Sequence, residues 1–310
     1  MKKRQAYLLF VIATIIWGFA FVAQKAAVIL PPFAVCAIRA GIASLFLLAI
    51  IPLTDKITST GRKFYTKRGI DLNKKELIGG AILGVILTVS SVLQQGALSD
   101  TDAGKAAFIT TLYVVLVPIF NSFLGKKPGI NVIIGVPVAL LGFFFLCIKP
   151  GIGIATGDLM VLGCALVFTF HIIGVDRLSV GCDGVRLSLV QFIVSFILDA
   201  ILSLVFEGVV GGGLILEVLP SLIFLGVGSS GIAYTLQIVG QKHADPNVSS
   251  LILSLEAVFA VIGASIVLGE RMSGREYIGS ALVLVAVILA QTEPDFIKKL
   301  LRIHQKANNN

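Results

Sequence analysis

Inside otherwise apolar stretches of this sequence lie an acid, a guanidinium and two rows of amides and hydroxyls. Glu256 falls near the middle of the apolar span 247–268, on one face with Ser249 and Gly263. A charge at such a position costs at least about 2.5–3.5 kcal/mol, so it must be paired, protonated or turned to water. Its carboxyl can carry a proton or receive a substrate ammonium. The structural alternative is a neutral acid hydrogen-bonded between helices. Arg39 stands about two turns into the span 32–53. Its planar fork can hold a carboxylate, from Glu256, Asp199 or a substrate; it can also close an internal ion pair or snorkel outward.

The amides and hydroxyls recur at helical spacing. Ser230, Tyr234, Gln237 and Gln241 follow i, i+4, i+7 and i+11, while Ser188, Gln191, Ser195 and Asp199 follow i, i+3, i+7 and i+11. Each set occupies one helix face. Two such stripes on neighbouring helices predict a wet, protein-lined cavity. Interhelical hydrogen bonds, worth about 0.6 kcal/mol per pair on average, are the alternative. Trp17, Phe21 and Gln24 share a face that can wall the cavity or pack against a helix. Gln94 and Tyr113 complete the candidate pathway. His171 has the chemistry to handle protons, but its place near a helix end predicts an interfacial side chain.

Other chemistry lacks its parts. No HExxH, GxSxG, P-loop or dense His/Asp cluster occurs, and the three histidines are far apart. Cys36, Cys147, Cys164 and Cys182 have neither CxxC spacing nor metal-ligand company. An enzyme, a cofactor and a metal site are therefore not expected. A membrane-embedded enzyme without a recognisable motif stays as the alternative from another class.

The elements that must position these groups follow from composition. Apolar residues make up 56% and charged residues 14% of the 310, and mean hydropathy is +0.98. A water-facing domain carries about 25% charged residues, so lipid is the expected solvent. About 20 apolar residues cross a bilayer as a helix. The spans 6–24, 32–53, 75–95, 103–123, 128–147, 155–173, 185–206, 216–239, 247–268 and 276–291 predict an all-α membrane protein of ten transmembrane helices. Lys2, Lys3 and Arg4 resemble the start of a secretory signal, but the apolar run continues to about Gln24, so the first helix is read as retained.

With the amino terminus inside, Lys and Arg divide 19 to 5 in favour of the cytoplasm. The cytoplasmic set includes Lys126, Lys127, Arg186 and Lys242; the outer set is Lys25, Lys105, Lys149, Arg271 and Arg275. That bias follows the positive-inside rule and places both termini in the cytoplasm. It also explains the net charge of +8 without nucleic acid.

An internal alignment divides the chain. Residues 111–125 align with 255–269 at an offset of 144, which also pairs Gly135 with Gly279. Leu93-Gln94 matches Leu236-Gln237 at 143, Trp17 falls on Phe168 at 151, and Arg39 on Gln191 at 152. Repeats of five helices must insert in opposite senses, giving two inverted halves, 1–148 and 149–293, with a cytoplasmic tail 294–310. Inverted repeats recur in secondary transporters, with the substrate site near the midplane between halves.

Leu255-Glu256-Ala257-Val258-Phe259-Ala260 followed by Leu268-Gly269-Glu270-Arg271 resembles the "LEPV…LGER" signature of EamA-type transporters in the drug/metabolite transporter superfamily. The run from Thr101 to Pro118 looks like that family's fourth-helix segment, and Trp17-Gly18 and Arg39 match its habits. Ala257 stands where the family usually has proline, and Lys126-Lys127 replaces the acidic residue expected after Gly125. The resemblance implies a secondary transporter of small metabolites in a bacterial-type plasma (inner) membrane, an exporter of amino-acid-like or other small polar or amphipathic compounds by alternating access. An uncoupled facilitator or channel is the alternative. Its partners are a small-molecule substrate and the lipid bilayer, with protons and a homodimer left open.

Overall fold

A computed structural model describes residues 3–58, 63, 65–66, 69–123, 130–149, 153–244 and 246–291. The tail 294–310 and the Lys126-Lys127 pair lie outside the described residues. Long apolar runs take the helical form because lipid offers no partner to backbone N–H and C=O groups, and a helix satisfies them internally. The first helices are α1 (Lys3–Ala26), α2 (Pro32–Thr58), α3 (Lys74–Ala97), α4 (Ala103–Thr110), α5 (Tyr113–Phe123) and α6 (Ile130–Cys147). There follow α7 (Thr156–Leu178), α8 (Gly184–Phe206), α9 (Gly212–Glu217), α10 (Leu219–Ile223), a π-helical segment (Phe224–Tyr234) and α11 (Thr235–Gln241). The chain closes with α12 (Pro246–Ser254), α13 (Glu256–Gly263), a second π-helical segment (Ala264–Leu268) and α14 (Gly274–Gln291). Two antiparallel hairpins of two-residue strands, Tyr65–Thr66 with Gly69–Ile70 and Ile148–Lys149 with Gly153–Ile154, link helices.

Among the described residues, seven helical stretches are long and apolar enough to cross a membrane, and Ile252–Leu268 is a shorter apolar one. The protein is thus an all-helical, multi-pass membrane protein in its spanning parts. Large apolar side chains such as Leu45, Leu204 and Ile266 point outward, which suits a lipid-facing surface.

Three spans expected as continuous helices are interrupted. Between α4 and α5 the chain turns at Thr111-Leu112, where Val114 N–H donates to Thr111 O and Val115 N–H to Leu112 O. Pro118 lies inside α5, where it removes an N–H and crowds the Val114 carbonyl, one turn beyond this break. Between α12 and α13 the same tightening occurs at Leu255, with Leu255 N–H donating to Ile252 O and Val258 N–H to Leu255 O. Thr111 and Leu255 stand 144 residues apart, the offset of the internal alignment. The third interruption is the π-helical segment, where Gly226 and Gly231 let α2 come close. A Cβ on Gly226 would lie 2.5 Å from Ile42 Cβ, and one on Gly231 2.6 Å from Phe46 Cδ1.

Glycine also seats α3 on α8. A Cβ on Gly80 would sit 2.5 Å from Val190 Cβ, and one on Gly84 2.6 Å from the Gln191 carbonyl. The Gly80-x-x-x-Gly84 spacing therefore serves close helix approach. At the edge of the bundle α6 packs along α14, with Gly142 against the Gly279 carbonyl.

Candidate functional site: a buried polar cavity

The main cavity, of about 390 Å³, lies where α1, α2, α3, α7, the first π-helical segment and the start of α13 meet. It is lined by Glu256 and Arg39, by the aromatic rings of Trp17, Phe21, Phe168 and Tyr234, and by amides and hydroxyls including Gln24, Gln94 and Ser229.

Glu256 is the first residue of α13, so the break at Leu255 delivers its carboxyl to the bundle centre. It is buried, and Oε1 accepts from the Tyr113 hydroxyl at 3.2 Å. Tyr113 opens α5, directly after the other break. The two interruptions thus meet in one hydrogen bond.

Arg39 is buried and bonded to neutral groups. Nε donates to Ser230 Oγ at 3.1 Å, Nη2 to Ser229 Oγ at 3.2 Å and Nη1 to Gln24 Oε1 at 3.5 Å. No carboxylate pairs with it among the described residues. The internal ion pair entertained from sequence is absent there, and so is outward snorkelling. Ser229 and Ser230 belong to the π-helical segment, a form that recurs at functional sites. Trp17 Nε1 donates to the Ser229 carbonyl at 3.3 Å, and its ring meets Tyr234 at 4.7 Å edge to face.

The seventh-span stripe divides along α8. Asp199 and Ser195 border a smaller cavity of about 200 Å³, which they share with Arg39, Cys36 and Ser230. Ser195 donates to Asp199 Oδ2 at 3.0 Å, and Thr88 donates to Ser195 at 3.2 Å. Gln191 pairs through Oε1 with His171 Nε2 at 2.8 Å. His171 is fully buried and stacked on Phe168, which corrects the interfacial placement: the ring sits on the bundle face of α7 rather than at the lipid boundary. Ser188 bonds Thr235 at 2.8 Å. Gln237 and Gln241 are buried with side-chain amides unpartnered among the described residues, and neither lines these two cavities.

Polar clusters close both ends of the bundle. At one end Arg186 pairs with Asp55 at 2.9 Å, and Glu76 joins the Asn73 cap of α3 to the Asp183 N–H. At the other end Lys105 pairs with Asp158 at 2.7 Å, supported by Thr101 at 3.2 Å. Glu270 accepts from the Ala103 and Gly104 N–H groups at 3.1 and 3.3 Å, and Glu207 from those of Phe33 and Ala34 at 2.8 and 2.9 Å. These carboxylates satisfy the open N-termini of α4 and α2. The acid of the Leu268-Gly269-Glu270-Arg271 motif is therefore a helix cap, a role its sequence context does not reveal.

Comparison with known proteins agrees with this architecture. The EamA-like transporter family model matches the chain twice, at residues 4–148 and 155–292. An uncharacterized transporter of Archaeoglobus fulgidus is 31% identical over 298 residues, covering 93% of this chain and 86% of that protein. The uncharacterized transporter YoaV of Bacillus subtilis is 20% identical over 284 residues, covering 89% and 93%. A protein of known crystal structure shares the fold with a TM-score of 0.68 at 20% identity, over 92% of this chain and 95% of that one. The chain belongs to the EamA-like transporter family, within the drug/metabolite transporter superfamily, and is a multi-pass membrane transporter.

Proposed function

We propose that the protein is a secondary carrier of small amino-acid-like or other polar, amphipathic metabolites, working by alternating access. The observation that carries this reading is the makeup of the main cavity. One carboxyl, one guanidinium and an aromatic wall border the same space. A zwitterion with an apolar side chain can satisfy all three: its ammonium on Glu256, its carboxylate on Arg39, its side chain against Trp17, Phe21 and Phe168. Export is the direction that the family resemblance implies.

The architecture fits two inverted five-helix halves, ten crossings in all, with both termini cytoplasmic in a plasma (inner) membrane. The paired breaks at Thr111-Leu112 and Leu255 support it, as do the double family match and the basic-residue bias. Discontinuous helices near the midplane are where carriers of inverted-repeat design bind substrate. In that orientation the cavity lies in the outer half. Arg186–Asp55 and Glu76 then close the inner end, and Lys105–Asp158 borders the outer one.

The test is a counterflow screen of amino acids and related amines with purified protein in proteoliposomes. Glu256→Gln should abolish exchange of the accepted compound while leaving the protein folded and monodisperse. Full exchange by that variant removes Glu256 from the site. Exchange indifferent to an imposed pH gradient would instead identify a facilitator.

A further inference from the structure

Asp199 has no place in the substrate cavity, yet it is fully buried at a polar position of α8. Its Oδ2 accepts from Ser195, while Oδ1 has no partner among the described residues. The smaller cavity that it borders contains Arg39, which also borders the main cavity beside Glu256. One guanidinium therefore stands between two carboxyls and, in this structure, bonds to neither; its partners are Ser229, Ser230 and Gln24.

We infer that Asp199 is a proton-binding site separate from the substrate site, and that Arg39 reports its charge to the substrate cavity. A hydrogen bond with one ionised partner is about twice as strong as a neutral one, and an Arg–carboxylate pair has both partners ionised and a bidentate fit. When the Asp199 carboxyl loses its proton to water, the carboxylate competes for Arg39 against the serines and Gln24. The guanidinium then turns out of the main cavity. When Asp199 takes the proton back, Arg39 returns to the arrangement described above. Thr88 and Ser195 form a hydroxyl chain ending on Asp199, able to pass that proton along α3 and α8.

The groups around Asp199 are few. Arg39 and Cys36 face it from α2, Thr88 through Ser195 and Ser91 from α3, and Ser230 from the π-helical segment. Glu207, the C-cap just past the end of α8, lies farther along and is engaged by the Phe33 and Ala34 N–H groups. His171 on α7 meets α8 at Gln191 rather than at Asp199.

Trp17 is the single tryptophan of the chain and donates to the carbonyl of Ser229, whose hydroxyl receives Arg39. Its fluorescence thus reads the position of Arg39 without any substrate. In a pH titration of purified protein, wild type should show an emission transition between two plateaus. Asp199→Asn should be flat, Asp199→Glu should keep a transition with a displaced midpoint, and Arg39→Gln should be flat. Glu256→Gln and His171→Gln should keep the wild-type transition. Should Asp199→Asn fail to fold by circular dichroism, the Asp199→Glu and Arg39→Gln results decide.

A flat wild-type titration overturns the inference. So does a transition unchanged in Asp199→Asn, or one lost in Glu256→Gln or His171→Gln. The physiological meaning of this site rests on the carrier reading, but its test does not. A failed counterflow screen with an intact titration removes the carrier reading alone, and the reverse pattern removes the proton site alone.

Discussion

Gly18→Ala offers a direct measure of how tightly α1 is held against the helix that carries Glu256. A Cβ added at Gly18 would meet Phe259 Cβ and would lie 2.8 Å from the Phe259 carbonyl carbon and 2.9 Å from the Ala260 nitrogen. Ordinary contact begins at 3.4 Å, and two of these three atoms are backbone, which no rotamer change can remove. The Phe259 Cβ is fixed by its backbone as well, so the helices must part by more than about half an ångström, an overpacking that costs about 1–3 kcal/mol. Alanine gains about 0.8–1.0 kcal/mol over glycine within a helix, which masks part of the effect. Gly163→Ala supplies the control. It is also mid-helix, and its Cβ would meet only Leu93 Cδ1, at 3.5 Å. The propensity gain is common to both variants and cancels in their comparison. Gly18→Ala should therefore be less stable than Gly163→Ala by about 1–3 kcal/mol. Thermal unfolding in detergent can be followed with a thiol-reactive fluorophore, since Cys36 and Cys164 are buried free thiols. Substrate exchange should fall in Gly18→Ala as well, because Phe259 is on the same short helix as Glu256. Equal unfolding temperatures for the two variants would refute the reasoning.

Two further outcomes follow from the polar clusters. Lys105→Ala should cost about 3–5 kcal/mol by leaving the fully buried Asp158 with only the Thr101 hydroxyl; the double variant Lys105→Met/Asp158→Leu should be more stable than that single one in the same unfolding assay, and losses that simply add would deny the pairing. Glu270→Ala should cost about 0.5–2 kcal/mol through the lost cap on α4, with Glu270→Gln milder because it keeps an acceptor and loses only the charge. Hydrogen exchange of the first α4 amides should rank wild type slowest and Glu270→Ala fastest; an unchanged rate in Glu270→Ala would rule out the cap.

The helical, membrane-spanning character was legible because it depends on mean composition and run length, which the sequence displays openly. The cavity was legible in part, because polar residues inside apolar runs are conspicuous. Trp17, Arg39, Gln94, Tyr234 and Glu256 all reach the main cavity. Tyr113 stands behind it on Glu256, and Ser195 and Asp199 border the smaller one. The even spacing of a stripe does not reveal how far each member travels toward one space. Gln191 and Gln237 fall on the predicted faces yet line neither cavity, because a bundle interior is polar at several depths and only some of them are hollow. Ser229 gave no signal, since its neighbour Ser230 carried the 3.6-residue pattern and the π-helical winding turns both toward Arg39. Glu207, Glu270 and Asp158 were equally hidden. Their partners are backbone N–H groups or a lysine more than 50 residues away, and no local pattern encodes such a partner.

The interruptions of α4–α5 and α12–α13 bear on how such a bundle can change state. A continuous helix through the centre would bury every backbone group and present only side chains. A break frees backbone groups and re-aims the residue that restarts the helix. Here the restarting residues are Tyr113 and Glu256, and they meet at 3.2 Å. The two breaks are related by the 144-residue offset, but their chemistry is not the same: Ala257 stands at the position aligned with Tyr113, and Leu112 at the one aligned with Glu256. Acid comes from one break and hydroxyl from the other. The N-terminal cap of α4 is likewise supplied by Glu270, whose aligned position holds Lys126. Exchanging the roles of the two halves therefore could not reproduce the same contacts. In the proposed alternating-access cycle the two end states would differ in energy for a reason written in these few positions, and substrate bound on Glu256 and Arg39, as proposed, would be the added interaction able to offset that difference.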